Sequence, residues 1–333
     1  MNTSPLTLDS LRQAQTRLTG GVRLTSCARS APLCERLGME IYCKREIEQL
    51  TGSFKERGAR NALLCLSDEK RRRGVIAASA GNHALGLARH GGLLGVPVWV
   101  VMPCTAPAVK VDRCRELGAH VLLHGHRFDE AAAHALAFSQ AHDLTYVHPF
   151  DDLAVIAGQG TLALEVLAQV PDLDALVVPV GGGGLLAGVL SAVRALRPEV
   201  EVIAVEPAHA PCFAVAAAEG RPVNVPVSPT LADGLAVARV GRQTFALAQG
   251  RVDRVVTVTE DEIAEAMLLL AEEDGTVVEG AGATALAACL TGKLEHLRGR
   301  RVVLPLCGRN VDPAVHRRAL ARARAARAWS RAA

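Results

Sequence analysis

Short, largely apolar runs alternate with longer amphipathic segments along most of the chain. The apolar runs are residues 40–44, 74–78, 96–101, 120–123, 175–180, 201–206, 255–258 and 301–306. Continuous apolar character over so few residues is typical of strands buried in a parallel sheet. The helix-like segments are residues 6–18, 57–66, 83–91, 106–117, 130–142, 158–169, 185–196, 261–273 and 281–290. This alternation predicts an α/β fold with mostly parallel sheets flanked by helices.

The length of 333 residues is sufficient for two domains. The sequence shows no internal repeat and no long low-complexity linker. We predict a large domain formed by residues 1–51 and 152–320, and a small domain formed by residues 52–151. Residues 321–333 form a tail rich in alanine and arginine, for which we predict a solvated helix without a function.

Composition excludes several classes of partner. A net charge of +3 and an aromatic content of 3% argue against a nucleic-acid partner, which calls for a basic surface and stacking platforms. No apolar run approaches the length of a membrane span, and residues 1–20 contain no signal-peptide core. Nine cysteines, an odd number without framework spacing, indicate a reducing compartment. We therefore predict a cytoplasmic protein without a membrane partner.

Lys55 is the first candidate for chemistry. It follows the small residues Gly52 and Ser53, a setting in which another molecule can approach the backbone closely. A desolvated lysine has a lowered pKa, and its amine can form a Schiff base with an aldehyde such as pyridoxal phosphate. The alternative is an exposed lysine at the start of a surface helix.

A run of glycines is the second candidate. Gly181, Gly182, Gly183 and Gly184 lie between a predicted strand and a predicted helix, where backbone N–H groups can bind a phosphate. One alternative is a tight turn. Another is a dinucleotide fingerprint, satisfied loosely by the same glycines with Glu206 on the next strand, which would indicate an NAD(P)-dependent oxidoreductase.

The third candidate is the segment 79–83. It places small residues at a predicted helix N-terminus, which suits a carboxylate. Taken alone, Asn82 would be read as a helix cap, and His83 as a capping or core histidine.

These segments together resemble the fold-type II pyridoxal-phosphate enzymes, specifically the threonine/serine dehydratase (ammonia-lyase) branch that includes serine racemase. The resemblance extends from about Leu8 to Asp312. The matching motifs are Lys44, Glu46 and Gln49 followed by residues 52–58, then residues 78–84, 148–150, 156–161, 180–185, 232–234, 279–282 and 306–308.

The resemblance implies a tryptophan synthase β-like fold with pyridoxal 5'-phosphate in the cleft between two domains. It implies that Lys55 holds the cofactor covalently, with Phe54 beside it, and that Asn82 bonds its phenolic oxygen. It assigns the phosphate to Gly181, Gly182, Gly183, Gly184 and Leu185, the pyridine nitrogen to Cys307, and the substrate carboxylate to Ser79, Ala80, Gly81, Asn82 and His83. No metal is expected, since Cys212 near Glu206 is a poor ligand for Mg²⁺ or Ca²⁺.

The activity implied is β-elimination of water from L-threonine or L-serine, or both, giving a 2-oxo acid and ammonia, by a homo-oligomer such as a dimer or tetramer. A related 3-hydroxy amino acid, such as a hydroxyectoine-breakdown intermediate, would require the same chemistry. Serine racemase and a non-catalytic cofactor-binding homologue remain alternatives. Serine racemases carry a second serine at the position of Ala80, so we expect elimination without racemisation. Arg309 replaces a small residue of the family and could alter the pocket wall.

Overall fold

The computed structural model describes residues 6–332, and the side chains of 6–329. Residues 1–5 and 333, which the predicted large domain and tail include, lie outside the described residues. Over the described range the chain forms ten strands in two sheets. The strands are β1 (Cys27–Arg29), β2 (Glu40–Lys44), β3 (Val75–Ala78), β4 (Val98–Met102), β5 (His120–Leu123), β6 (Thr145–Tyr146), β7 (Ala175–Pro179), β8 (Glu201–Pro207), β9 (Arg254–Val258) and β10 (Arg301–Pro305).

Fourteen α-helices of the described range connect and cover these strands. They are α1 (Leu8–Leu18), α2 (Ala31–Leu37), α3 (Lys55–Leu64), α4 (Asp68–Arg73), α5 (Asn82–Leu94), α6 (Ala108–Glu116), α7 (Phe128–Ala141), α8 (Leu153–Gln169), α9 (Gly184–Leu196), α10 (Cys212–Glu219), α11 (Arg242–Ala248), α12 (Glu260–Glu273), α13 (Gly280–Leu290) and α14 (Pro313–Ala332). Among these helices, none is both long and apolar enough to cross a bilayer.

The larger sheet has the strand order β1-β2-β10-β7-β8-β9, and the smaller has the order β5-β4-β3-β6. Every pairing is parallel except that of β1 with β2. The predicted α/β fold is therefore confirmed. The smaller sheet lies within residues 52–151 and the larger outside them, which agrees with the proposed division, although the domain boundaries themselves stay a prediction.

Every predicted strand and helix is present, with ends that differ by a few residues. The elements that were not predicted are β1, β6, α2, α4, α10 and α11. The missed strands have three and two residues, too few for a recognisable period. Helix α4 buries none of its residues and therefore has no apolar stripe. Helix α8 begins at Leu153 instead of 158, because the Asp152 side chain caps it by accepting two backbone N–H groups.

The C-terminal helix differs from the prediction in its environment. A helix is present, but it is not solvated on all sides, because Ala319 and Ala323 are buried against the rest of the chain. Arg327 and Arg322 pair with Glu265 and Asp261 of α12. Alanines four residues apart form a narrow face that allows close helix packing, and the arginines beside it face acidic partners.

Glycines set the two helix crossings that α8 makes with α3 and α9. A Cβ atom at Gly158 of α8 would lie 2.5 Å from the Arg57 carbonyl oxygen and 2.6 Å from the Gly58 Cα of α3. On another side of α8, a Cβ atom at Gly188 of α9 would lie 2.6 Å from the Gly160 backbone nitrogen. Helix α8 is thus packed backbone to backbone between the helix that begins with Lys55 and the helix that follows the glycine loop.

Candidate active site

Lys55 is the first residue of α3, and backbone contacts hold the residues before it. The Phe54 N–H donates to the Cys307 carbonyl oxygen at 3.0 Å, and Ser53 forms an isolated bridge with Gly308. The segment that precedes Lys55 is therefore fixed to the segment that leaves β10. This contact places Cys307, which the sequence analysis assigned to the cofactor ring, next to the lysine segment.

The Lys55 amine is desolvated, as the sequence analysis expected. Nζ donates to the Pro149 carbonyl oxygen at 2.7 Å and lies 5.4 Å from the centroid of the Phe54 ring. Burial lowers the pKa of Lys55 to about 8, while Cys307 and Glu279 oppose this shift. The alternative of an exposed surface lysine is excluded, and an amine of this kind is well suited to act as a nucleophile or base.

A buried ionic network supports α3 behind Lys55. The Arg57 guanidinium donates to both oxygens of Glu46 at 2.8 and 2.7 Å and to both oxygens of Glu165 at 2.6 and 2.7 Å. Lys44 Nζ donates to Glu165 at 2.6 Å. Although burial favours the neutral form, Arg57 holds the pKa of Glu46 below its ordinary value. Three of these residues are motif positions of the sequence, but their pairing was not predicted.

The glycine loop presents buried N–H groups without partners. Gly183 has a φ of 90°, and a Cβ atom at Gly182 would overlap the Phe150 ring. No described residue accepts a hydrogen bond from the backbone N–H of Gly182, Gly183, Gly184 or Leu185. Such donors at the start of α9 are the groups that bind a phosphate. The residues present therefore fit the phosphate of the cofactor that the sequence analysis expected.

A fixed turn at residues 148–151 connects the lysine to the glycine loop. The His148 Nδ1 atom accepts the N–H groups of Phe150 and Asp151 at 3.3 and 2.9 Å. The Asp151 carboxylate accepts three successive N–H groups at the start of α11, between 2.8 and 3.1 Å. Thr244 of α11 donates to the Gly182 carbonyl oxygen at 2.8 Å. Residues 148–150 are one of the matching motifs, whereas no role was predicted for Asp151 or Thr244.

The predicted carboxylate loop lies at the start of α5. Ser79 Oγ accepts the Gly81 N–H at 3.2 Å, which holds this hydroxyl against the loop backbone, and Ala80 is half-buried. Among the described residues, none accepts the N–H groups of Asn82 or His83. A Cβ atom at Gly81 would meet nothing within 4 Å, so the backbone is open to a ligand there. This geometry suits a carboxylate bound by the backbone.

The His83 side chain itself points into the core. It is 2% exposed, and its Nε2 atom lies 3.2 Å from the Val147 carbonyl oxygen. Burial, followed by the nearby Lys55 charge, lowers the pKa of His83 to about 3, so the ring is neutral at physiological pH. Nε2 is then the donor, and any contribution of His83 to a substrate comes from its backbone.

Asn82 is bonded to a residue to which the sequence analysis gave no role. Its Nδ2 atom donates to Glu279 Oε1 at 2.7 Å, and the Asn310 N–H donates to Glu279 Oε2 at 3.1 Å. Burial, reinforced by Asp233, raises the pKa of Glu279 to about 7. The sequence offered one signal, an acid just before the small-residue start of α13.

Glu206 and Arg309 have structural roles. Glu206 accepts the N–H groups of Phe213 and Ala214 at 2.7 and 2.8 Å, and burial raises its pKa to about 7. With both oxygens engaged in capping α10, it is not available to a ribose, which disfavours the dinucleotide alternative.

The described residues include no group of three or more metal-ligating side chains. Arg309 is exposed, and its N–H donates to the Gly52 carbonyl oxygen at 3.0 Å.

Comparisons with known proteins agree with this geometry. The family model described as pyridoxal-phosphate dependent enzyme matches residues 18–308. The L-threonine ammonia-lyase of Thermotoga maritima is 47% identical over 307 residues, which cover 92% of this chain and 76% of that protein. The catabolic L-threonine dehydratase of Escherichia coli is 40% identical over 309 residues, covering 92% and 94%.

Two solved structures have similar folds. The processed form of threonine deaminase isoform 2 from Solanum lycopersicum superposes with a TM-score of 0.89 at 37% identity, covering 97% of this chain and 96% of that one. Serine racemase from Dictyostelium discoideum superposes with a TM-score of 0.87 at 36% identity, covering 93% and 100%.

Proposed function

The chain belongs to the pyridoxal-phosphate dependent enzymes, and from this premise we propose that it is an ammonia-lyase that converts L-threonine, and L-serine as a second substrate, to a 2-oxo acid and ammonia. The observation that carries the proposal is the 47% identity to an L-threonine ammonia-lyase over 92% of the chain. The desolvated Lys55 beside unpaired loop amides supports it, because these are the groups the reaction requires.

Four parts of the chain would hold the cofactor. Lys55 would bind it covalently, the loop from Gly181 to Leu185 would bind its phosphate, Asn82 would bond its phenolic oxygen, and Cys307 would face its pyridine nitrogen. When bound, pyridoxal phosphate supplies an electron sink for the charge that develops at the substrate α-carbon. Burial raises the pKa of Cys307 well above its ordinary value, so it would face the ring as a neutral thiol, a weak partner compared with a carboxylate.

Lys55 would also act as a base. With substrate in the site, the Lys55 amine would take the proton from the substrate α-carbon, and the pKa of about 8 keeps a useful fraction of the amine neutral near physiological pH. The Pro149 carbonyl oxygen holds Nζ in place. The Cβ–O bond breaks, the hydroxyl group leaves with a proton as water, and the released enamine tautomerises and hydrolyses to a 2-oxo acid and ammonia.

Ala80 favours elimination over racemisation. Racemisation requires a second acid/base group on the face of the α-carbon opposite Lys55, and alanine has no proton to give. The neighbouring Ser79 hydroxyl accepts the Gly81 N–H and is held in the loop. A reaction with L-serine should therefore yield pyruvate with negligible D-serine, which chiral chromatography measures. D-serine formed as fast as pyruvate would contradict this part of the proposal.

The central experiment is a screen of hydroxy amino acids for 2-oxo acid and ammonia release. We expect L-threonine to be the best substrate, L-serine to follow, and Lys55→Ala to lower the rate by orders of magnitude. A preference for another 3-hydroxy amino acid would revise the substrate but keep the chemistry. A protein that binds the cofactor and releases no ammonia from any of them would be a non-catalytic homologue.

The proposal includes a cytoplasmic location and a homo-oligomeric state, a dimer or tetramer. All nine cysteines are free thiols, which supports a reducing compartment. Light scattering coupled to size-exclusion chromatography tests the assembly, and a monomer at micromolar concentration would contradict it.

A further inference from the structure

The orientation of the Asn310 side chain is fixed by two unambiguous partners. Arg113 Nη1 donates to Asn310 Oδ1 at 2.8 Å, and Asn310 Nδ2 donates to the Thr51 carbonyl oxygen at 2.7 Å. A guanidinium has only donors, and a backbone carbonyl has only acceptors. Exchanging the oxygen and nitrogen of Asn310 would set donor against donor and acceptor against acceptor. Asn310 therefore has one permitted orientation.

That orientation, together with Glu279, fixes Asn82. Asn310 Nδ2 donates to Asn82 Oδ1 at 2.7 Å, while Asn82 Nδ2 donates to Glu279 Oε1 at 2.7 Å. The second Glu279 oxygen accepts the Asn310 backbone N–H. The three residues form a closed ring in which both Glu279 oxygens face donors, so the Glu279 carboxyl group acts there only as an acceptor. Asn82 keeps one N–H for which the described residues provide no acceptor.

The ring lies beside the lysine segment. Gly308, which pairs with Ser53, leaves no room for a side chain, because a Cβ atom there would overlap the Glu279 carboxylate and lie 3.1 Å from Asn82 Nδ2. The Glu279 charge also acts on Lys55. The free Asn82 N–H is therefore available at the site that contains the lysine.

We propose that Glu279 is a positioning residue: together with Asn310 it presents Asn82 to the cleft as a hydrogen-bond donor only, so that Asn82 selects an ionised oxygen, the phenolate of the bound cofactor. The inference rests on the proposed function for the identity of that ligand. Glu279 acts through Asn82 and touches neither cofactor nor substrate in this role.

Glu279→Gln removes from the ring the side chain that only accepts hydrogen bonds. A glutamine amide would turn its NH₂ group toward either the Asn310 N–H or the Asn82 NH₂ group, so two donors would face each other and Asn82 would be held less firmly in its orientation. Glu279→Asp retains a group that only accepts. Asp174→Asn is a matched control. The Asp174 carboxylate accepts the Arg301 N–H at 2.7 Å where β7 and β10 begin, whereas the glycine loop and Gly308 follow the ends of these strands.

The experiment measures cofactor binding without substrate. Apoprotein is titrated with pyridoxal phosphate, and the visible absorption band that reports an ionised phenolic oxygen is recorded across pH. For Glu279→Gln we expect a dissociation constant raised about tenfold, the loss of one charge-assisted hydrogen bond, and a weaker visible band. Glu279→Asp should recover most of both properties, and Asp174→Asn should match the unmodified protein.

A double variant separates positioning from a direct effect. In an Asn82→Ala background, Glu279→Gln should change affinity by less than about twofold, because the residue that it positions is gone. An effect of full size there, or an unchanged band and affinity in the single variant, would overturn the proposal. If Glu279→Gln does not fold, Asn310→Ala is subjected to the same measurements. Threonine turnover is assayed separately. If the protein does not turn over threonine, the cofactor titration still tests the role of Glu279 by itself.

Discussion

Replacing Gly158 by alanine tests how firmly the Lys55 helix is held. The new Cβ atom would lie 2.5 Å from the Arg57 carbonyl oxygen and 2.6 Å from the Gly58 Cα atom, ~1 Å short of ordinary contact. Both obstacles are backbone, so no side-chain rotation relieves them. Helix α3, which begins with Lys55, must move away from α8.

The magnitude follows from two opposing contributions. Alanine in a helix interior gains about 1 kcal/mol over glycine, whereas overpacking costs about 1–3 kcal/mol. Because the clash involves only backbone, we expect the upper end of that range and a net loss of about 2 kcal/mol. A displacement of ~1 Å at Lys55 can lower catalytic activity by up to about 10²-fold.

Urea unfolding of the apoprotein and kcat/KM for L-threonine measure the two effects. Gly92→Ala is the control, because Gly92 is also helical and exposed, and the nearest atom to its added Cβ is the Leu117 carbonyl oxygen at 3.3 Å. This variant should be neutral or slightly stabilised, with normal activity. A Gly158→Ala protein within about 0.5 kcal/mol of the unmodified stability, with unchanged activity, would refute the argument from backbone contact.

Three further predictions concern the support of the site. Gly183→Val forces a branched residue to a φ of 90°, with its Cβ atom 2.9 Å from Thr244 Oγ1, and should weaken pyridoxal phosphate binding more than tenfold; unchanged affinity would place the phosphate elsewhere. Arg57→Met leaves Glu46 buried without its partner and should cost about 3–5 kcal/mol in urea unfolding, part of which Arg57→Met with Glu46→Gln recovers. The pKa of His83 is about 3 in the folded protein and ~6.5 when unfolded, so the unfolded state binds more protons between these values and stability falls as pH decreases through that window. His83→Gln should abolish about 2 kcal/mol of the loss between pH ~6.5 and ~5, and an unchanged pH profile would contradict this.

The sequence predicted the parts of the site that depend on local backbone. A glycine run between a strand and a helix, and small residues at a helix start, can be recognised from neighbouring residues alone. Lys55 and the loop from Gly181 to Gly184 were predicted as site residues in this way. The family resemblance then supplied Cys307, which no local pattern indicated.

The sequence could not predict contacts made by tertiary packing. Asn82 and Glu279 are 197 residues apart, and Lys55 and Pro149 are 94 residues apart. Which carbonyl or carboxylate meets a given donor depends on how the two sheets are placed. The buried face of α14 was missed for a similar reason, since alanines among arginines resemble a solvated helix until acidic partners on α12 are in place.

Two independent sets of contacts keep Lys55 and the glycine loop at a fixed separation. Behind them, α8 packs backbone to backbone against α3 and α9, and a contact between backbones cannot relax by changing a rotamer. In addition, the Pro149 carbonyl oxygen of the 148–151 turn accepts a hydrogen bond from the Lys55 amine, and the Phe150 ring of the same turn lies against Gly182. One set of contacts alone would leave a hinge between the two groups, whereas two separate sets restrict that movement. The pyridoxal phosphate that we propose to bind covalently at Lys55 and through the loop amides would find these groups already in place, which avoids the cost of ordering the site on binding.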